Sequence, residues 1–277
     1  MPEMPEVETI RRILEPQIRG ERILGVNIIQ PKVIAYPDAQ TFGEMLVGQK
    51  MQSMSRRGKF LTIHCESGDR IAVHLRMTGQ LLVMPADYPL EPHTHLIALL
   101  SGGKQLRYVD VRRFGRLWYG KAGEKDTVTG QETLGLEPLD NALTGAYLHA
   151  KMGTGKKTIK EMLLDQRIVA GIGNIYSDEI LFASRMYPAT KCFDVHADSW
   201  DILAEQIKEV ISWGIKTDEM TPETYLEGRG KAYRNIPQLS VYGREGLPCV
   251  HCHSTLERMV IAGRSSCYCP FCQRKTN

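Results

Sequence analysis

Four cysteines near the end of the chain restrict its possible folds more than any other feature. Cys249-x-x-Cys252 is followed after 16 residues by Cys269-x-x-Cys272. Two such pairs at this separation are typical of a structural zinc site, because each pair can turn both thiolates towards one ion. The segment between them is long enough for a β-hairpin, with Gly263 and Ser265-Ser266 suited to its turn. Four protein ligands leave no position for a reactive water, so the sequence predicts one structural Zn²⁺.

The other cysteines do not fit this pattern. The chain has seven, and five of them fall within the last 29 residues. An odd count in a reducing compartment argues against a disulfide framework. A chance cluster in a redox-active tail is the alternative, which the paired spacings disfavour. Cys267 alternates away from Cys269 along a strand, so we expect it not to bind zinc, and we interpret Cys65 and Cys192 as ordinary thiols.

Length and composition set the broad class of the protein. The 277 residues suffice for two domains, and 42% hydrophobic with 24% charged residues fits a soluble globular protein. The net charge of +3 is compatible with a nucleic-acid partner but does not argue for one. The sequence starts without the basic and apolar regions of a signal peptide, and no apolar run is long enough to span a bilayer. We therefore expect a cytoplasmic protein with no membrane partner.

The first half of the chain predicts strands. Short β-prone runs, such as residues 23–29, 60–64 and 71–75, are separated by turns that contain glycine. Strands and helices do not alternate, so the pattern favours an antiparallel β-sandwich over a doubly wound parallel sheet.

Helices are predicted on both sides of these strands. The first begins near Pro5, which suits the start of a helix, and is expected to end at Pro16. A loose polar stretch over residues 125–152 then indicates a connection between domains. Beyond it, apolar residues recur at helical spacing. The apolar positions are Val7, Ile10 and Leu14 in the first helix, and Ile159, Met162, Leu163, Tyr176, Ile180, Ala183, Ile202, Ile207, Val210 and Ile211 in the later ones.

The first residues contain a candidate nucleophile. Removal of the initiator methionine would leave Pro2 as a secondary amine with a pKa of about 8, so that much of it is neutral at pH 7. Its reaction with a sugar aldehyde carbon would give an iminium ion, which acidifies the neighbouring carbon and permits elimination of phosphate. Glu3 lies beside it and is a candidate proton donor. Taken alone, these residues fit an ordinary helix start better.

Further motifs occur in one order along nearly the whole chain. With the first nine residues they closely resemble the formamidopyrimidine-DNA glycosylase family. The motifs are Arg56-Arg57-Gly58-Lys59-Phe60, His74-Leu75-Arg76-Met77-Thr78-Gly79, Asp110-Val111-Arg112-Arg113-Phe114-Gly115, Leu134-Gly135-Leu136-Glu137-Pro138-Leu139, Val169-Ala170-Gly171-Ile172-Gly173-Asn174-Ile175-Tyr176, Val241-Tyr242-Gly243-Arg244 and the four-cysteine tail.

The resemblance implies a fold and an activity. The fold class is α+β and multidomain, with DNA in the cleft between domains. The implied divisions are a catalytic β-sandwich over residues 1–135, a linker over 136–152, a helix-two-turn-helix region with a lesion-capping loop over 153–240, and a zinc finger over 241–277. The activity is that of a bacterial, monomeric DNA glycosylase and abasic-site lyase of base excision repair, associated with the nucleoid through its DNA. It removes oxidised purines, 8-oxoguanine and formamidopyrimidines, from duplex DNA and nicks the strand by β,δ-elimination.

The resemblance also implies roles for matching residues. Pro2 is the Schiff-base nucleophile, Glu3 the general acid, and Lys59 a phosphate contact that assists catalysis. Met77, Arg112 and Phe114 fill the space left by the flipped nucleotide, and Arg112 contacts the orphaned cytosine. The remaining contacts are to backbone phosphates, from Asn174, Arg264, His74, Tyr242 and Arg258.

Physical arguments support part of this assignment. Extrusion of a nucleotide costs a few kcal/mol, and an apolar wedge with a hydrogen-bonding cation suits the vacancy. Burial in a core is the alternative for Met77 and Phe114, although each lies beside an arginine and close to a glycine, as in a loop tip. The basic runs over residues 56–59 and 104–116 favour phosphate binding over a merely solvated face. Asn174 suits a helix N-cap, where free N–H groups attract phosphate.

Departures from the family leave alternatives open. Position 4 is methionine instead of leucine, and residues 213–235 lack the usual Gly-Gly-Ser/Thr stretch, so contacts of the lesion-capping loop cannot be transferred. An endonuclease VIII-like enzyme acting on oxidised pyrimidines is the main rival, and the segment 112–115 favours the purine enzyme. A DNA-binding protein without catalysis would be expected to lack Pro2 or Glu3. A metal-dependent nuclease lacks support, since no suitable carboxylate cluster is present.

Overall fold

In the computed structural model, which describes residues 2–228 and 238–274, the chain begins with helix α1 (Met4–Ile18). Pro5 lies in its first turn, and Val7, Ile10 and Leu14 belong to its buried face, as predicted. The prediction that Pro16 ends this helix is wrong, because the helix continues to Ile18. A proline removes one backbone hydrogen bond and crowds the carbonyl group four residues before it, and the burial of Ile18 offsets this cost in the last turn.

Nine strands follow, and they form two sheets. The strands and the intervening helix are β1 (Ile23–Ile28), β2 (Ile34–Tyr36), α2 (Ala39–Leu46), β3 (Met51–Arg57), β4 (Phe60–Cys65), β5 (Arg70–His74), β6 (Gly79–Pro85), β7 (Thr94–Leu100), β8 (Lys104–Asp110) and β9 (Arg116–Gly120). One sheet has the order β1-β7-β8-β6 and the other β2-β9-β5-β4-β3. Neighbours are antiparallel except β2 and β9, so the predicted sandwich of antiparallel strands is confirmed.

One buried core joins the two sheets. Residues from α1, α2 and both sheets contribute to the same apolar cluster. A later segment completes it, because Tyr225 of a short helix (Pro222–Glu227) is also buried there. The hydroxyl of Tyr225 donates to the carbonyl oxygen of Leu81 at 3.1 Å.

The remaining α-helices of the described chain follow the strands of the sandwich. They are α3 (Gly145–Met152), α4 (Ile159–Leu163), α5 (Asn174–Ala183), α6 (Ser199–Thr217) and, belonging to the core above, α7 (Pro222–Glu227). Helix α6 contacts α3 and α5 through an apolar stripe that includes Leu203, Ile207 and Ile211. The helices predicted from apolar spacing are therefore confirmed.

The cysteine-rich tail contains the predicted hairpin. Its strands are β10 (Glu257–Ile261) and β11 (Arg264–Tyr268). The turn is formed by Ala262 and Gly263, both with positive φ, and not by Ser265-Ser266, which lie in β11. Two residues with positive φ produce the twist that a tight hairpin requires, which explains why the turn is shorter than expected.

The chain forms two units, and their limits differ from the domain boundaries predicted above. Residues 2–132 and 218–228 form the first unit, and residues 133–217 and 238–274 form the second. The predicted linker contains helix α3, which packs on α6, and the zinc hairpin belongs to the second unit. The return of residues 218–228 to the first unit was not expected. Among the described residues, no helix is both long and apolar enough to cross a bilayer.

Candidate functional site

The start of α1 is a buried, acidic environment. Pro2 and Glu3 are buried, and the carboxylate of Glu6 accepts the backbone N–H of Glu3 at 2.7 Å. Burial raises the pKa of Glu6 to about 8, and the neighbouring Glu3 and Asp218 raise it further. Burial also raises the pKa of Asp218 to about 7. With a pKa raised to about 8, Glu6 is mainly protonated at neutral pH. Met1 lies outside the described residues.

Lys59 and His74 lie at neighbouring ends of paired strands. Lys59 is buried in the turn between β3 and β4, and the next residue, Phe60, pairs with His74 of β5. Burial lowers the pKa of His74 to about 3, and the charges of Arg76 and Lys59 lower it further, so the ring is neutral. Its Nδ1 accepts the backbone N–H of Arg76 at 3.0 Å. The ring therefore offers a neutral Nε2–H donor.

Two loops present the predicted wedge. We call residues 75–79 the Met77 loop and residues 110–115 the Phe114 loop. The side chains of Met77 and Phe114 are 39% and 49% exposed, so neither belongs to the core. The guanidinium of Arg112 lies 4.7 Å from the centre of the Phe114 ring. An exposed aromatic ring stacked under a cation is suited to insertion between bases.

The backbone of both loops is locally strained. Arg76, just before Met77, has a φ of 54°, and Arg113, just before Phe114, has a φ of 57°. Residues with side chains seldom adopt this left-handed conformation, which costs about 1–3 kcal/mol and is concentrated at functional sites. The surrounding hydrogen bonds must therefore hold both loops in place.

The basic run over residues 104–116 is only partly available for phosphate, which corrects the sequence interpretation. Arg107 is buried and donates to the carbonyl oxygens of Tyr88 and Pro89 at 2.8 and 2.9 Å. Lys104 is at the far end of β8, roughly 20 Å from Asp110 at the usual rise of a strand. The alternation of side chains along β8 explains this: residues at opposite faces and ends of a strand cannot share one surface.

The second unit places Asn174 and Arg264 close together in the fold. Asn174 is the first residue of α5, and Gly173, not Asn174, is its N-cap. The amide of Asn174 instead donates to the carbonyl oxygen of Ser265 at 3.0 Å, one residue after the exposed Arg264. This bond joins the N-terminus of α5 to the hairpin, and it explains why the side chain does not cap the helix.

A buried ion pair strengthens the same junction. Lys160 and Asp178 are 0% and 1% exposed, and their charged groups are 2.5 Å apart. Lys160 also donates to the carbonyl oxygen of Ser265 at 2.9 Å. The carboxylate of Asp178 accepts the hydroxyl of Ser266 and the backbone N–H of Cys267. Helices α4 and α5 are thereby tied to the hairpin.

The two remaining predicted phosphate contacts are Tyr242 and Arg258. The backbone N–H groups of Ser240, Val241 and Tyr242 all donate to the carboxylate of Glu179, at 2.8 to 2.9 Å. Tyr242 is therefore fixed through its main chain. Arg258 is exposed on β10 and lies 3.7 Å from Glu245, an exposed pair of little energetic weight.

The predicted zinc ligands come together. The four Sγ atoms lie within 4.8 Å of one another, which fits a tetrahedral thiolate site with Zn–S distances of about 2.3 Å. They belong to Cys249, Cys252, Cys269 and Cys272. Cys267 is buried outside this group in the apolar cluster under the hairpin, and Cys65 and Cys192 are buried elsewhere. One structural Zn²⁺ is the cofactor, and its closed shell supplies no chemistry to substrate.

Sequence reasoning missed the buried residues that hold the candidate site residues in place. Asp110, Lys160, Asp178, Glu179 and Glu6 are buried ionisable residues. A usable indication was present, since Lys160 follows Ile159 and the pair Asp178-Glu179 interrupts an apolar helix. Charges within an apolar pattern indicate a buried polar network.

The lesion-capping loop can be located only in part. Residues 221–228 are described: Thr221 accepts the N–H of Thr224 at the start of α7, and Tyr225 anchors that helix in the core. Residues 229–235, for which no individual contacts were predicted, lie outside the described residues.

Comparison with known proteins gives matches over most of the chain. Family models match residues 1–117 ("Formamidopyrimidine-DNA glycosylase N-terminal domain"), 134–225 ("Formamidopyrimidine-DNA glycosylase H2TH domain") and 246–274 ("Zinc finger found in FPG and IleRS"). A formamidopyrimidine-DNA glycosylase of Desulforamulus reducens is 44% identical over 275 residues, 99% of either chain. Structures of Lactococcus lactis Fpg with abasic-site DNA and with Fapy-dG DNA, both 32% identical, match with TM-scores of 0.90 and 0.89; each alignment covers 99% of this chain and 100% of the other.

Proposed function

The chain belongs to the formamidopyrimidine-DNA glycosylase family, and on that basis we infer that it is a DNA glycosylase and abasic-site lyase of base excision repair. It removes oxidised purines, including formamidopyrimidines, from double-stranded DNA. The observation that carries this function is the presence, in one unit, of a buried Pro2-Glu3 start and an exposed wedge of Met77, Arg112 and Phe114. We propose that it acts as a monomer in the bacterial cytoplasm, at the nucleoid.

The chemistry is assigned to Pro2. After removal of Met1, its neutral amine attacks C1′ of the damaged nucleotide while the bond from C1′ to the base breaks. The amine then loses its proton, and the C1′–O4′ bond opens as O4′ takes a proton from Glu3, which leaves an iminium at C1′. The iminium withdraws electrons from C2′, and loss of a C2′ proton expels the 3′ phosphate. A second elimination releases the 5′ phosphate, and hydrolysis of the iminium restores the amine. No metal takes part in these steps.

Glu3 and Lys59 support this reaction. Glu3 donates a proton to the sugar ring oxygen, and its main chain is fixed by the carboxylate of Glu6. Lys59 is buried and its charge acts on the neutral ring of His74. Both side chains contact the phosphates next to the lesion, Lys59 as a cation and His74 through its Nε2–H.

The second unit supplies further phosphate contacts. Arg264 is exposed on the hairpin, and Asn174 begins helix α5, whose first N–H groups and dipole attract an anion. Tyr242 and Arg258 add weaker contacts. The zinc ion holds the hairpin that presents Arg264 and Arg258.

The test is borohydride trapping on a duplex with 8-oxoguanine opposite cytosine, followed by peptide mass mapping. We expect a covalent adduct at Pro2. An adduct formed only on oxidised-pyrimidine DNA would move the assignment to an endonuclease VIII-like enzyme. The absence of an adduct on these substrates and on abasic DNA would contradict the chemistry altogether.

A matched variant separates the acid from the nucleophile. Glu3→Gln keeps the shape of the side chain and is expected to bind lesion DNA while base excision falls by about 100-fold or more, the usual contribution of a general acid. Excision at the normal rate would remove Glu3 from the mechanism.

A further inference from the structure

One buried carboxylate receives hydrogen bonds from both wedge loops. Asp110 is 0% exposed and lies at the end of β8, where it pairs with Gly79 of β6. Its Oδ1 accepts the hydroxyl of Thr78, from the Met77 loop, and the backbone N–H of Arg112 at 3.2 Å. Its Oδ2 accepts the backbone N–H of Gly115 at 2.9 Å. The hydroxyl of Thr78 also accepts the N–H of Arg112 at 3.1 Å, so the two loops share one network.

The hydroxyl group of Tyr108 also lies close to both loops. The hydroxyl of Tyr108 donates to Asp110 at 3.1 Å. A Cβ added at Gly115 would collide with this hydroxyl, and one added at Gly79 would lie 2.5 Å from the carbonyl oxygen of Leu75 and 2.8 Å from this hydroxyl. Neither position therefore has room for a side chain. This packing leaves the loops little room to move separately.

The main chain of Asp110 is held as well as its side chain. Its N–H donates to the carbonyl oxygen of His93 at 3.0 Å, and its carbonyl oxygen accepts Nε2–H of His95 at 2.7 Å. Asp110 is therefore held through its main chain and through its carboxylate, which accepts charge-assisted hydrogen bonds from backbone N–H groups, so its position is rigid. Each loop contains one residue in the left-handed conformation, Arg76 in the Met77 loop and Arg113 in the Phe114 loop, and the hydrogen bonds to Asp110 connect the two loops.

We propose that Asp110 is a positioning residue that couples the Met77 loop to the Phe114 loop. Met77, Arg112 and Phe114 then enter DNA as one preset group, and not as two loops that are ordered on binding. The coupling places Arg112 for its contact with the orphaned base, so it determines how strongly the enzyme prefers cytosine as the partner. This inference rests on the wedge role proposed above.

Thr78→Val tests the coupling. Valine keeps the volume of threonine but removes the hydroxyl that joins the loops, and it is a milder change than one at Asp110 itself. We measure single-turnover excision of 8-oxoguanine opposite cytosine and opposite adenine. The preference for cytosine is expected to fall by about tenfold, the lower range for loss of a base contact. Cleavage of single-stranded abasic DNA, which has no partner base, is expected to stay unchanged.

Thr129→Val is the matched control. The hydroxyl of Thr129 donates to Asp126 in the same unit, and these residues adjoin Gly120 at the opposite end of β9 from Gly115. This variant is expected to keep the normal preference for cytosine.

The outcomes distinguish the coupling from the wedge role. Arg112→Ala and Met77→Ala are measured alongside. If these variants lose the preference and Thr78→Val keeps it, the loops act separately and the coupling is wrong. If all three keep it, the wedge role itself is wrong. An equal loss by Thr78→Val on both duplexes and on single-stranded abasic DNA would indicate general damage and overturn the positioning role.

Discussion

The two units fix their exposed residues by different means. In the first unit, the Met77 loop and the Phe114 loop are joined by hydrogen bonds to Asp110. In the second, the hairpin that carries Arg264 is held by four thiolates and by the ion pair of Lys160 and Asp178. In both units a buried aspartate accepts backbone N–H groups of the segment that it holds.

The difference follows from the amount of apolar surface near each segment. The wedge loops extend from strands that share a large core, so hydrogen bonds suffice to set their shape. The hairpin rests on a small apolar cluster that consists mainly of cysteines with Phe182, Val241 and Leu256. A segment with so small a core needs a metal to fold. The hairpin should therefore depend on zinc and on the ion pair of Lys160 and Asp178, whereas the wedge loops should not.

Zinc removal should have the largest effect. A structural zinc contributes about 10–16 kcal/mol to folding in small modules, so chelation should unfold β10 and β11 and reduce lesion-DNA affinity by about 100-fold or more. The amide of Gly115 should keep its protection from hydrogen exchange. Hydrogen exchange measured by mass spectrometry checks the unfolding of the hairpin and the protection of Gly115. Fluorescence anisotropy measures the affinity for lesion DNA. Full affinity in the metal-free protein would show that the hairpin is not needed.

Loss of the buried Lys160 should have the next largest effect. Lys160→Met leaves the carboxylate of Asp178 buried without its ion-pair partner, which should lower the free energy of unfolding by about 3–5 kcal/mol. Lys160→Met with Asp178→Asn should recover part of this, because the second change removes the charge. Urea denaturation of the zinc-loaded protein provides the measurement. Lys50→Met, which breaks the exposed pair of Lys50 and Glu66, is the control and should cost less than about 1 kcal/mol.

The smallest effect concerns pH and the first unit. The pKa of Glu6 is raised from 4.5 to about 8 in the folded protein, so folding retains a proton that the unfolded chain releases. This contribution to stability is complete below pH 4.5 and is lost as the pH rises towards 8. Glu6→Gln should therefore flatten the fall in the free energy of unfolding, by about 2–3 kcal/mol between pH 5 and 7.

Urea titrations at several pH values measure this slope. Glu66→Gln, at an exposed carboxylate, controls for the loss of one charge. An unchanged slope in Glu6→Gln would show that other groups carry the pH dependence.

Periodicity and spacing predicted most of the elements. The strands, the helices and the zinc ligands depend on residues close together in sequence or on a fixed spacing between pairs. Pro16, Asn174 and Ser265 were misplaced because each depends on a local competition that tertiary contacts decide. Ile18 is buried, for instance, and the amide of Asn174 is taken by Ser265.

The positioning residues could not be predicted in the same way. Thr78 and Asp110 are 32 positions apart, and Lys160 bonds to a carbonyl 105 positions away. Only a folded chain shows such partners. The wedge was predicted from its motifs. Arg107 was wrongly included in a basic run expected to bind phosphate, because a run of charges does not reveal which member points into the protein.

The return of residues 218–228 has a consequence for synthesis on the ribosome. Tyr225 fills part of the core of the first unit, yet helices α3 to α6 are translated before it. The sandwich therefore emerges with a tyrosine-sized gap that stays open until most of the polypeptide has been made. The first unit therefore cannot complete its core before helices α3 to α6 have been translated. A nascent chain stalled before Tyr225 should accordingly be more sensitive to protease than one stalled after it.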